Sequence, residues 1–170
     1  MKRTIIILFF VLFPPGLSAQ ENNTRLQEKP ENCVTISLLG DGSNVSLNYE
    51  RLFPLNSYLF ISGRIGTGYG RQLTLNSDSI AMPIYLSVPA HVTLNAGKGR
   101  HYAEIGMGNT ITIGNVNPHY LYYVILGYKF YPLTPYNISI RIFGNLLLNN
   151  ENDFRNIYFV PFGLSLGYTF

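Results

Sequence analysis

The stretch "YFVPFGLSLGYTF", Tyr158 to Phe170, closes the chain, and its reading decides the fold. Tyr158, Val160, Phe162, Leu164, Leu166, Tyr168 and Phe170 fall on one face, while Pro161, Gly163, Ser165, Gly167 and Thr169 fall on the other. A period of two sustained this long is a strand. One face is apolar without a break, and the other is small or weakly polar.

The same division recurs upstream. Ile138, Ile140, Ile142, Leu146 and Leu148 oppose Ser139, Arg141, Asn145 and Asn149, and Tyr120 to Phe130 sets its even positions against Gly127 and Lys129. Ile105, Met107, Ile111 and Ile113 oppose Glu104, Gly106, Gly108, Thr110 and Thr112. Ile80, Met82, Ile84, Leu86, Val88, Val92 and Leu94 oppose Tyr85, Ser87, His91 and Thr93. Leu59, Ile61 and Ile65 oppose Ser62, Arg64, Gly66 and Gly68, and Val45, Leu47 and Tyr49 oppose Ser46, Asn48 and Glu50. The chain therefore reads as all-β.

The first residues point to a compartment. Lys2 and Arg3 precede an apolar run from Ile5 to Phe13, Pro14 and Pro15 break it, and Leu17-Ser18-Ala19 offers a cleavage site. This is the layout of a secretory signal peptide, residues 1–19. Removing it leaves 10 basic residues against 9 acidic ones, a balance that implies no nucleic-acid partner. Residues 20–33, which open "QENNTRLQEKPEN", read as a flexible leader. Cys33 lies well beyond the expected cut, which argues against a lipid anchor, and a lone thiol makes no internal disulfide. It reads as a small buried residue.

Composition narrows the setting. Charged residues are 12% of the chain, where a globular domain has about 25%, yet there are 13 Tyr, 11 Phe and 16 Gly. No run after the leader approaches the roughly 20 apolar residues of a membrane-spanning helix. In hydrocarbon the remaining option is a closed barrel, which pairs every backbone group. A secreted barrel whose last strand ends on the periplasmic side needs an even strand count. Val34 to Leu39 supplies the eighth strand, with Asp41-Gly42-Ser43 as a tight turn. One long bent strand through Gly40 and Gly42 into Val45–Phe53 is the alternative. The expectation is an antiparallel up-and-down transmembrane barrel of eight strands over residues 34–170, with a side-chain-filled lumen. Turns at Pro54–Asn56, Ala96–Gly99 and Pro132–Asn137 then face the periplasm, and Asp41–Ser43, Arg71–Ser79, Asn115–His119 and Asn150–Asn156 face outward. A soluble lipocalin-like barrel would turn the weakly polar face to water, and that face lacks the needed charges: the chain has only 4 Lys.

Glu50, Arg64, Glu104, Lys129 and Arg141 are the charges of the lumen face. An eight-stranded barrel is just wide enough for side chains to fill it, and buried charges must be paired. The expectation is an ion-pair plug of three cations and two anions, with Asn48, Tyr85 and His91 as auxiliaries. The string "GRIGTGYG", Gly63 to Gly70, lacks the helix a phosphate loop requires, so its glycines make room for neighbours or let the strand bend. Scattered histidines and one cysteine give no metal-ligand spacing, and no cofactor is expected.

The closing stretch resembles the C-terminal targeting signal of outer-membrane β-barrel proteins, with Leu166, Tyr168 and Phe170 at the alternate positions and Ser165 where glycine is common. "SLNYERLF" running into "PLNSYLF", Ser46 to Phe60, resembles strand-turn-strand units of small eight-stranded barrels of the outer-membrane-protein-A size class. The resemblance implies a monomer in the cell outer membrane, surrounded by outer-membrane lipid and delivered to the barrel-assembly machinery by its C-terminal strand. These motifs speak to architecture more than to activity, and the expected role is structural or surface-interaction, without enzymatic activity. A narrow channel is one alternative. Another is a lipid A acyltransferase or deacylase drawing on His119 with Ser77, Asp78 and Ser79.

Overall fold

The computed structural model describes residues 32–71, 84–114, 119–131, 137–148 and 160–170. The expected signal peptide, residues 20–31 of the leader, Ile80, Met82, Asn149, Tyr158 and the Ser77–Ser79 candidates lie outside them. Eight strands follow in order: β1 (Asn32–Leu38), β2 (Val45–Pro54), β3 (Leu59–Arg71), β4 (Ile84–Lys98), β5 (His101–Ile113), β6 (Tyr120–Phe130), β7 (Ile138–Leu147) and β8 (Phe162–Thr169). Each pairs antiparallel with its sequence neighbours, and β8 returns to β1, so the sheet closes as an up-and-down barrel.

Closure runs through the C-terminal strand. Leu166 lies opposite Ile36 and Tyr168 opposite Val34, and Phe170 and Asn32 exchange backbone hydrogen bonds of 2.9 and 3.1 Å. β1 is a strand of its own, not the first half of a bent β2. It begins two residues earlier than the sequence suggests, because Asn32 and Cys33 find backbone partners in Arg51 and Glu50. β8 begins later, at Phe162.

The polarity is inverted relative to a water-soluble barrel. Leu164, Leu126 and Ile84 are 46, 47 and 57% exposed, whereas Ser165 and Tyr85 are 1 and 2% exposed. Ile, Leu, Val, Tyr and Phe cover the outside of all eight strands; most of the strands' Ser, Thr and Asn residues and the charges Glu50, Arg64, Glu104, Lys129 and Arg141 are enclosed. This arrangement rules out the lipocalin-like alternative, whose apolar face would be inside.

Turns Leu55–Tyr58 and Gly99–Arg100 and both described chain ends lie at one end of the barrel, here the lower; the β1–β2 connection lies at the upper end. The lower mouth is floored by Leu52, Phe60, Tyr102 and Tyr131, with Phe60 and Tyr102 edge-to-face at 5.0 Å between ring centroids. An apolar patch of Leu121, Tyr123, Ile125 and Phe143 fills part of the upper half.

The glycines of β3 show how the lumen is fitted. A Cβ on Gly66 would run into the Asn48 side chain and the Leu47 carbonyl, and one on Gly70 into the Tyr85 ring. A Cβ on Gly63, which points outward, would meet nothing within 4 Å. Gly66→Ala is therefore expected to lower the unfolding free energy in urea by about 1–3 kcal/mol, the usual cost of overpacking. Gly63→Ala should leave it essentially unchanged; equal effects at the two positions would refute this account of the fit.

Candidate functional site

The five charged residues read from the sequence meet in one buried layer. Glu50 and Arg64 are directly opposed across β2 and β3, and Arg64 Nη2 donates to Glu50 Oε2 at 2.7 Å. Lys129 Nζ donates to the other oxygen of Glu50 and lies 3.2 Å from Glu104 Oε1. Arg141 Nε donates to Glu104 Oε2 at 2.6 Å. The order is Arg64, Glu50, Lys129, Glu104, Arg141, with cation and anion alternating, so no like charges are adjacent along it.

Local sequence makes that order possible. Lys129 and Arg141 are directly opposed in the β6–β7 register, where two cations repel. The Glu104 carboxylate relieves this by lying between them. It gets there because its own cross-strand partner is Gly127, where an added Cβ would stand 2.7 Å from Glu104 Oε2. Arg64 sits at the level of Glu50, its direct cross-strand partner, and so meets the layer through that carboxylate.

Below the layer, Lys129 Nζ also donates to Ser62 Oγ at 3.1 Å, and Ser62, Thr93 and Asn95 are bonded to one another. Above it, the Arg141 guanidinium stacks on Phe143 with its carbon 3.8 Å from the ring centroid.

The suggested auxiliaries do not join the ion layer as direct partners. Asn48 donates to Ser37 and Ser46, and Ser37 is bonded to Ser165, which makes a separate seam linking β1, β2 and β8. Tyr85 is buried against Gly70 on the neighbouring strand. His91 belongs to a second cluster. Its Nε2 lies 2.8 Å from the Tyr123 hydroxyl and 3.5 Å from Asp41 Oδ1.

Asp41 was expected on an outer turn and is instead fully buried. The Leu39–Asn44 connection folds into the upper mouth. Thr110 Oγ1 donates to the Asp41 carbonyl at 2.8 Å, Asn145 Nδ2 to the Gly40 carbonyl at 2.6 Å, and Ser46 to Asp41 Oδ2 at 3.4 Å. Gly40 and Gly42 have φ of +86° and +71°, and side chains there would strike Phe143 and Leu121. Leu39 shares the left-handed conformation, φ +63°, unusual for a non-glycine residue.

Hydrogen counting fixes the direction of this network. Thr110 spends its one proton on the Asp41 carbonyl, so it accepts from the Tyr123 hydroxyl, which in turn accepts from His91 Nε2–H. The same ring nitrogen faces hydroxyl and carboxylate, whereas a catalytic triad needs the hydroxyl on one imidazole nitrogen and the carboxylate on the other.

Cys33 is buried, with its Sγ 3.3 Å from Ser139 Oγ. His101 opens β5, where its Nδ1 is bonded to the Tyr128 hydroxyl on the exposed side. His119 contributes its carbonyl to the Thr112 N–H at 2.8 Å. Leu166, Tyr168 and Phe170 are all exposed on the outer face of the closing strand. Among the described residues no group of three His, Cys, Asp or Glu side chains has metal-binding geometry.

Arg141→Met strands Glu104 with one cation and is expected to cost about 3–5 kcal/mol in urea unfolding, as breaking a buried pair does. Combining it with Glu104→Gln should cost less than the sum of the two single changes, and strict additivity would show the pair to be uncoupled. Burial pushes the Asp41 carboxyl above its ordinary range, against the opposing pull of Arg141 and Arg64. An acid so raised contributes most to stability while protonated, below the ordinary carboxylate range, and that contribution fades as pH rises through the raised value. Thermal unfolding of Asp41→Asn should accordingly fall less between acid and neutral pH than that of the unaltered chain. Comparisons of the chain with protein-family models, with curated proteins and with solved structures find no match.

Proposed function

We propose that this chain is a small integral protein of the cell outer membrane, with a filled, non-conducting lumen and a structural or surface-interaction role, and without enzymatic activity. The observation that carries this reading is the inverted polarity: an apolar belt around all eight strands encloses a five-membered ion-paired layer. Such a belt is costly in water and suited to acyl chains, while the closed ladder leaves no unpaired edge for hydrocarbon to meet. The signal-peptide layout at Lys2 to Ala19 adds support. The lower end then faces the periplasm. The exposed Leu166, Tyr168 and Phe170 serve as the feature that the barrel-assembly machinery reads.

The filled lumen favours the non-conducting reading over a channel. From the lower mouth upward a path would meet the aromatic floor, the five-membered ion layer, the Phe143 patch and the Asp41 turn. The donor role of His91 Nε2 weighs against a lipid-modifying site built on that histidine, and His101 is occupied by Tyr128.

The protein expressed with its leader is expected in outer-membrane fractions, as a band whose gel mobility shifts on boiling. In planar bilayers it should give no steady conductance, and incubation with lipid A should leave the lipid mass unchanged. A soluble periplasmic distribution would refute the membrane reading. Stable conductance steps would replace the filled lumen with a channel, and a lipid mass change lost in His119→Ala would replace it with an enzyme.

A further inference from the structure

Charged side chains on the described outer surface have one sign. The described acidic side chains, Asp41, Glu50 and Glu104, are all buried, whereas Arg51, Arg71, Lys98 and Arg100 are exposed. Arg51 Nη1 donates to the Asn32 side-chain oxygen at 2.9 Å, and Arg71 ends β3 at the upper end. Lys98 and Arg100 stand together at the lower end, on the β4–β5 turn, where Lys98 is directly opposed to His101. Among the described residues no carboxylate lies within ion-pair distance of either cation.

The turn is built so that its own negative groups face away from these cations. Gly99 has a φ of +67°; its carbonyl accepts from the Tyr102 hydroxyl at 3.0 Å, and the Arg100 carbonyl accepts from the Tyr131 N–H at 2.9 Å. Both tyrosines belong to the aromatic floor of the lumen, so the turn's oxygens are engaged on the inside. On the outside, Lys98 Nζ lies 6.0 Å from the centroid of the Tyr58 ring, and His101, bonded to the Tyr128 hydroxyl, has the Phe130 ring 5.2 Å away. Cations beside a shelf of exposed rings suit the boundary between water and acyl chains. An ammonium and a guanidinium donate hydrogen bonds and accept none. The occupant must therefore present anionic acceptors at the level of the turn and apolar groups to the wall above it.

We infer that the β4–β5 corner docks the headgroup of an anionic phospholipid of the lower leaflet, its phosphate held by Lys98 and Arg100 and its chains lying on the apolar wall. The inference rests on the membrane reading above, in which the lower end meets the periplasmic leaflet. A second copy of the barrel meeting it corner to corner would oppose like charges.

The test uses the whole chain, folded in detergent and mixed with dioleoylphosphatidylglycerol or dioleoylphosphatidylcholine, which share their chains and differ in net charge. Native mass spectrometry then counts retained lipid. The unaltered protein is expected to favour the anionic lipid by about twentyfold. Lys98→Gln and Arg100→Gln should each cut that preference about fivefold, the worth of one cation at a membrane surface, and together abolish it. Arg71→Gln removes the same charge from the upper end and should leave the preference unchanged. Equal retention of the two lipids by the unaltered chain would overturn the site, and so would an equal loss in Arg71→Gln. Displacement of the lipid by an equal concentration of glycerol 3-phosphate would reassign the corner to a soluble phosphate. A preference that emerges only when Glu28 and Glu31 are both changed to Gln would make the leader the occupant instead. Each variant is also folded into phosphatidylcholine vesicles and run with and without boiling. A shifted band without headgroup preference refutes the corner alone, whereas failure of the unaltered chain to enter vesicles refutes the membrane reading on which it rests.

Discussion

Charge closure inside a ring too narrow for water to shield it is the constraint on which the rest depends. Arg64, Lys129 and Arg141 bring three cations into the lumen, and Glu50 and Glu104 answer with two anions. Because the carboxylates alternate with the cations, each oxygen pair serves two partners, and one side chain cannot be removed without leaving a neighbour under-compensated. A buried charge in that position is among the most expensive defects a fold can carry.

That layer explains features that look unrelated. The third buried carboxylate, Asp41, comes from a connection and not from a strand, and it matches the third cation in number without touching one at ion-pair distance. Bringing it inside requires the chain to turn into the barrel mouth, which accounts for two glycines and a leucine with positive φ in four residues. The turn is then held from the far wall by Thr110 on β5 and Asn145 on β7. Gly127 and Gly66 do comparable work in the wall: one lets Glu104 swing between two cations, and the other accommodates Asn48. Small residues are placed where large polar ones need the volume.

The strand period was legible from the sequence because the two faces differ so sharply in chemistry. From that period, parity and turn residues, the eight-stranded antiparallel barrel followed, and so did the membership of the ion layer. The upper half of the lumen was not legible. Leu121, Tyr123 and Ile125 are as apolar as the outward residues that alternate with them, so the period there carries no information about which side is enclosed. Asp41-Gly42 reads as a solvated turn because a turn signal specifies local backbone and says nothing of whether the loop tips inward. Asn48 and Tyr85 were rightly assigned to the lumen face, yet their partners depend on register: Asn48 lies opposite Thr35 on β1 and donates diagonally to Ser37, and Tyr85 lies opposite Gly70 on β3. A residue's face follows from its own strand, whereas its neighbours follow from the pairing of two.

Inverting a barrel also changes which contacts make the structure unique. In water an apolar core drives collapse and is selective about shape. With acyl chains outside, as proposed here, the outward leucines and isoleucines exchange one apolar neighbour for another, and their packing discriminates little between registers. Discrimination falls to the lumen, where shifting β2, β6 or β7 by one residue would turn Glu50, Lys129 or Arg141 outward and bring outward apolar or aromatic residues inward. The ion layer therefore acts as a register lock across β2, β3, β5, β6 and β7, and the Ser37, Asn48 and Ser165 seam does the same at the β8–β1 closure.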